Sequence, residues 1–178
     1  HPVAHSFPTR RSSDLVVFGL NETFHIIRMH PGGWAIEASL PMPERFTSAN
    51  DLCMPDATGN GFLASRWNII NRSTPAWVYK ITDGGWTGPE QLDTGDLEGK
   101  PVPLAPGLVA VPYVGMDLLE HVNGEWRISQ RPGNVPFEGS GLGEFVGNME
   151  VLHMVRIAEK AEVLTWSLPE MVPFASPW

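Results

Sequence analysis

A turn followed by tryptophan occurs three times in this chain: Pro31-Gly32-Gly33-Trp34, Asp83-Gly84-Gly85-Trp86 and Asn123-Gly124-Glu125-Trp126. The residues upstream align too. Phe24, Ala76 and Met116 lie ten positions before the tryptophan, Ile26, Val78 and Leu118 eight, and Ile27, Tyr79 and Leu119 seven. Each stretch therefore reads as a strand, a tight turn and a return strand. Asp-Gly and Asn-Gly mark hairpins because both central positions tolerate the left-handed backbone that a two-residue turn needs. Further apolar strands centre on Val17, Leu63, Val109 and Leu152, at spacings of 46, 46 and 43 residues. Short strands over residues 52–54, 102–104 and 142–146 precede three of these, and each ends in a glycine-bearing turn.

The repeating unit is thus four short antiparallel strands in about 45 residues, the period and strand count of a β-propeller blade. The expected fold is all-β, an incomplete propeller of about 3.5 four-stranded blades. They fall over residues 16–40, 51–92, 100–129 and 142–168, ahead of a proline-rich tail. The 17 prolines and 18 glycines are spread too evenly for long helices. The repeated tryptophan is expected to fill the gap between stacked sheets. Because closed rings typically hold 4–8 blades, the chain is expected to be the C-terminal part of a ring, with the missing N-terminal blades of the same polypeptide as its partner. An open stack leaves strand edges and apolar surface uncovered, so low solubility is expected for this piece alone.

Residues 5–15, His-Ser-Phe-Pro-Thr-Arg-Arg-Ser-Ser-Asp-Leu, match the conceptual translation of a widely used DNA-sequencing adapter. The alternative is a basic, serine-rich tail. Residues 1–15 are accordingly set apart from residues 16–178 as a non-native segment. Leaving them out removes two arginines and one aspartate and moves the net charge from -8 to -9. That acidity, with Lys80, Lys100 and Lys160 as the only lysines, argues against nucleic acid as a partner, since little is present to neutralise phosphates. No apolar run approaches the ~18 residues of a membrane helix, so no membrane partner is expected. A single cysteine, Cys53, allows no internal disulfide and reads as a buried thiol.

Val78-Tyr-Lys-Ile-Thr-Asp-Gly-Gly-Trp86 resembles the bacterial neuraminidase (BNR) repeats of sialidase-like propellers. Asn60-Gly-Phe-Leu-Ala-Ser-Arg-Trp67, Thr74-Pro-Ala-Trp-Val-Tyr-Lys80 and Asp83-Gly-Gly-Trp86 together resemble one blade of a BNR subgroup. Glu144, residues 151–155 and Val163-Leu-Thr-Trp166 resemble its last blade. The resemblance spans roughly residues 60–168. It implies a carbohydrate-active protein, secreted or periplasmic, similar to polysaccharide lyases such as ulvan lyases, which cleave uronic-acid polymers by β-elimination. A Tyr-Arg-His-Gly run typical of that group should fall near residues 17–20, where this chain has Val-Phe-Gly-Leu, so no residue inherits its role.

By analogy with propellers, ligands gather at the connections between second and third strands and between blades. These positions supply Arg66, Trp67, Asn68, Asn71 and Arg72 from the second unit, Tyr113 from the third and Arg156 from the fourth. The inter-unit loops add Arg45, Glu138 and Glu144, and His153 lies in a strand of the fourth unit. Arginine can hold a carboxylate through two parallel hydrogen bonds, an aromatic ring can stack on a sugar face, and an amide can bond hydroxyls. A tyrosine beside an arginine can act as acid or base. The expected catalytic set is Tyr113, His153 and Arg156, and the expected substrate-binding set is Arg66, Trp67, Asn71, Arg72 and Glu144. The ligand is expected to be an acidic polysaccharide or oligosaccharide, cleaved by β-elimination or hydrolysis. Two alternatives stand beside this: a non-catalytic carbohydrate-binding or scaffold propeller, and ordinary strand-end residues whose arginine stems pack on tryptophan. Neither His-Glu-x-x-His nor Cys-x-x-Cys is present, so no metal or other cofactor is expected.

Overall fold

The computed structural model describes residues 14–43, 51–68, 70–71, 73–95, 97–112, 116–131, 144–147, 151–157 and 161–167. These residues form strands and no α-helix, in four antiparallel sheets, none closed on itself. Sheet I comprises β1 (Leu15–Leu20), β2 (Thr23–His30) and β3 (Gly33–Pro41). Sheet II comprises β4 (Asp51–Pro55), β5 (Gly61–Arg66), β6 (Ala76–Thr82) and β7 (Gly85–Leu92). Sheet III comprises β8 (Val102–Ala105), β9 (Leu108–Pro112), β10 (Met116–Val122) and β11 (Glu125–Arg131). Sheet IV comprises β12 (Glu144–Gly147), β13 (Val151–Ile157) and β14 (Ala161–Ser167). In each sheet the strands lie side by side in chain order, a plain meander.

The three turn-tryptophan units are the hairpins β2–β3, β6–β7 and β10–β11. At the last of these both turn residues, Asn123 and Gly124, have positive φ (53° and 86°), as a two-residue hairpin turn twisting with its strands requires. The β1–β2 turn uses Asn21 and Glu22 in the same region (φ 50° and 61°). Asparagine enters it easily; glutamate does so rarely.

Alternation along each strand sends successive side chains to opposite faces, and sheet II is buried on both. Phe62, Ala64 and Tyr79 face sheet I, where Leu15, Phe24 and Ile26 meet them, with half-buried Cys53 and Trp86 packed alongside. Met54, Leu63 and Ala76 face sheet III, where Val109, Val111, Leu119 and Trp126 meet them together with Leu97 from the connection between the sheets. This explains why β5 reads as a continuous buried run rather than an alternating one. Leu15, the last residue of the adapter-like stretch, is itself buried in the first cluster.

Strand pairing aligns the repeats more sharply than spacing does. Val16 lies opposite Ile27, Phe62 opposite Tyr79, and Val109 opposite Leu119. The equivalents of Val109 are therefore Val16 and Phe62, one residue from the expected centres Val17 and Leu63. A one-residue slip changes face, which is why Leu63 points toward sheet III while Val109 points toward sheet II.

Three aromatic rings hold the first interface. Phe62 and Tyr79 stack with centroids 4.5 Å apart and planes 3° from parallel, and Phe24 meets both edge-on. The Tyr79 hydroxyl donates to the Pro41 carbonyl oxygen at 2.7 Å. Burial, and to a lesser degree the neighbouring Cys53 thiol, push the Tyr79 phenol well above its ordinary value. Because the folded-state pKa is raised, keeping the phenol neutral contributes stability that is fully present below about pH 10 and is lost as pH rises through the folded value. An ultraviolet alkaline titration should therefore show Tyr79 still protonated above about pH 10 in the folded protein, with its ionisation appearing only on unfolding. A Tyr79→Phe variant assigns the silent signal. Ordinary titration of Tyr79 in the folded state would contradict its burial.

Candidate functional site

The meander gives each sheet two ends. The turns of residues 56–60 and 83–84 in sheet II, and of residues 106–107 and 123–124 in sheet III, gather at one, the turn end. The connection from β5 to β6 and the connections between sheets gather at the other, the loop end. Hydrogen bonds to backbone carbonyls join neighbouring sheets at the turn end. Arg28 in β2 donates to the Gly59 carbonyl oxygen at 2.7 Å, and the Gly107 N–H donates to the Pro55 carbonyl oxygen at 2.7 Å.

At the loop end of sheet II three of the expected binding residues, Arg66, Trp67 and Asn71, fall on one continuous feature. The Arg66 N–H donates to the Pro75 carbonyl oxygen at 3.1 Å, and the Asn68 N–H to that of Ser73 at 2.9 Å, so the β5–β6 ladder continues outward as a narrow finger. Within the finger Asn68 Oδ1 accepts from the Ile70 N–H at 3.0 Å, and Asn71 Oδ1 accepts from the Ser73 hydroxyl at 2.8 Å. Both asparagines thus shape the loop through short-range bonds typical of the residue. Thr74 fixes the base: its N–H donates to the Leu97 carbonyl oxygen at 3.0 Å, and its hydroxyl donates to that of Gly99. Arg66 and Trp67 are half-buried at the root of the finger, Asn71 is exposed, and Ile70 at the tip is 92% exposed.

The remaining expected residues are placed less closely. Arg72, Tyr113, Arg45 and Glu138 lie outside the described residues. Glu144 stands opposite Val155, and Arg156 opposite Glu162, so the register brings both to the end of sheet IV where its second and third strands connect. His153 sits mid-strand, opposite Val146 and Thr165.

No family model and no curated protein matches the chain. Among solved structures, the complex of the fission yeast SREBP-SCAP binding domains aligns with a TM-score of 0.46 at 11% identity. The alignment covers 85% of this chain and 45% of that one, so the chain spans under half the length of that solved chain.

Two features escaped the sequence. Asp56 is buried in the β4–β5 turn. Its Oδ1 accepts from the Thr58 N–H at 2.8 Å, the Thr58 hydroxyl at 2.7 Å and the Asn60 N–H at 3.2 Å, while Oδ2 lies 3.7 Å from His121 Nε2 of sheet III. Both side chains are buried, and the His121 ring packs 5.5 Å from that of Trp126. The pair lines a cavity of about 240 Å³ between sheets II and III, which Lys80, Glu90 and Glu125 also border. With three carboxylates around it, this cavity is electrostatically the poorer place for a polyanion. The local signal for Asp56 was present, an aspartate two residues before Thr58 in a glycine-rich turn, but its histidine partner lies in another sheet. Among the described residues, no group of three or more His, Cys, Asp or Glu is positioned to hold a metal ion.

Proposed function

We propose that the stacked sheets are blades of an incomplete BNR-type β-propeller whose loop end binds an acidic polysaccharide. One observation carries this: Arg66 and Trp67 stand together, half-buried, at the root of a pinned finger that also bears Asn68 and Asn71. Successive side chains of the continued ladder leave opposite sides, so the guanidinium can grip a uronate carboxylate on one side of the root while the indole covers a sugar ring on the other. Secretion or export to the periplasm accords with a polymer outside the cell. Affinity electrophoresis through gels containing polygalacturonate or a neutral glucan tests the reading. Retardation is expected only in the acidic gel, and Arg66→Ala should weaken binding roughly tenfold, the loss of one charge-assisted hydrogen bond. Equal mobility in both gels would refute it.

The second reading is catalysis, and the arrival of Glu144 and Arg156 at one end of sheet IV favours it. In β-elimination a base removes the proton beside the uronate carboxylate, the glycosidic bond on the adjacent carbon breaks, and a carbon–carbon double bond remains. Tyr113, His153 and Arg156 are the groups proposed for base, acid and carboxylate clamp. Ultraviolet absorbance of the unsaturated uronate, compared with release of reducing sugar, separates elimination from hydrolysis and both from binding alone.

A further inference from the structure

Among the described residues, the outer face of sheet I is largely apolar and exposed. Val16, Phe18, Leu20, Met29, Trp34 and Ile36 are all exposed there, Trp34 by 52% and Ile36 by 64%. Repeat geometry identifies what such a face meets. Three positions recur on the tryptophan-bearing side of a sheet: Phe62, Tyr79 and Trp86 in sheet II, and Val109, Leu119 and Trp126 in sheet III. Sheet I covers the first set and sheet II covers the second, so in both the tryptophan side rests on the preceding sheet. Trp126 is only 7% exposed, and Phe62, Tyr79, Val109 and Leu119 are fully buried. By strand pairing the same set in sheet I is Val16, Ile27 and Trp34.

Sheet I also has three strands where sheets II and III have four. Its β1 pairs with β2 just as β5 pairs with β6, so among the described residues sheet I has no counterpart of β4, whose place lies ahead of β1 in the chain. One upstream stretch of the same repeat would fill both places, supplying the first strand of sheet I and a sheet for Trp34 to rest on.

We propose that the outer face of sheet I is the seat of a preceding four-stranded sheet of the same polypeptide. That sheet presents apolar side chains to Trp34, as Met54, Leu63 and Ala76 of sheet II do in the cluster that holds Trp126. The inference requires stacked sheets, not ring closure or sugar binding, so failure to bind polygalacturonate leaves it standing.

The experiment compares the 178-residue chain with the product of its gene read from the natural start codon. Acrylamide quenching of Trp34 is read as the difference between each protein and its Trp34→Phe variant. In the short chain Trp34 should be freely quenched and the hydrophobic dye ANS should bind. Ile36→Thr, which keeps a β-branched residue in an exposed strand position, should reduce dye binding without lowering the melting temperature. In the long chain quenching of Trp34 should fall severalfold and dye binding should vanish. Three results would each overturn the proposal: equal quenching of Trp34 in both proteins, a short chain that binds no dye, or protection of Trp34 that appears only on dimerisation and persists as a dimer in the long chain.

Discussion

Tyr79→Ala is expected to cost roughly 3–5 kcal/mol, the range for removing a large buried aromatic, and so to consume much of the stability a domain of this size holds. The side chain is fully buried, stacks on Phe62 and receives the edge of Phe24. Its removal leaves a void between two sheets, each held in place by its neighbours in chain order. Gly88 packs so closely on the ring that a Cβ there would lie 2.5 Å from its Cδ1, so truncation empties a space that is tightly filled. Tyr79→Phe separates the ring from its hydroxyl: losing the bond to the Pro41 carbonyl should cost only about 1 kcal/mol. Thermal melts followed by circular dichroism check both. At the few degrees per kcal/mol typical of chains this long, the alanine variant should melt roughly 10 °C lower and the phenylalanine variant only slightly lower. Similar melting of the two would mean that ring packing is not what holds sheet I on sheet II.

Arg28→Ala is expected to be nearly as damaging, at about 3–5 kcal/mol. The Arg28 side chain is 5% exposed; its Nε donates to Glu37 Oε2 and its Nη2 to the Gly59 carbonyl oxygen. A buried ion pair offers little advantage over an apolar pair of the same shape, yet breaking one strands the other charge without water. Alanine here would leave the Glu37 carboxylate largely buried and a carbonyl in the next sheet without its donor. Lys80 and Glu90 provide the internal control: the contact is comparably short at 2.8 Å, but both side chains are more than half exposed. Water screens that pair, so Lys80→Ala should cost about 0–1 kcal/mol. Urea denaturation of the two variants reads the contrast directly. Equal losses would show that burial does not govern the strength of these pairs.

Much of the fold was legible because its signals are local. Turn chemistry marked all three tryptophan hairpins, and short apolar runs separated by glycine marked the strands of sheets II and III. Face assignment was harder. Leu63 and Val109 stand in matching places by spacing, but one residue of difference in pairing sends them to opposite sides of their sheets. Trp34 and Trp126 carry the same local pattern and differ only in what lies next to them. The residues expected to bind, from Arg66 to Asn71, fall together on the finger because they are contiguous in the chain. The links Arg28–Gly59 and Asp56–His121 were not, since each joins residues of different sheets, and such contacts are set by how sheets stack.

The first two interfaces of this stack are each made by consecutive sheets, sealed by apolar side chains and linked at the turn end by polar contacts. A molecule assembled this way behaves as a one-dimensional array, in which stability accumulates by neighbouring pairs and is not vested in one shared centre. Its length is therefore open to change by whole modules. Duplication of one strand quartet within a gene inserts a sheet whose tryptophan side already fits the face before it and whose opposite side already accepts the tryptophan that follows. Lineages descended from such a chain can differ in module number while every internal seam keeps the same chemistry.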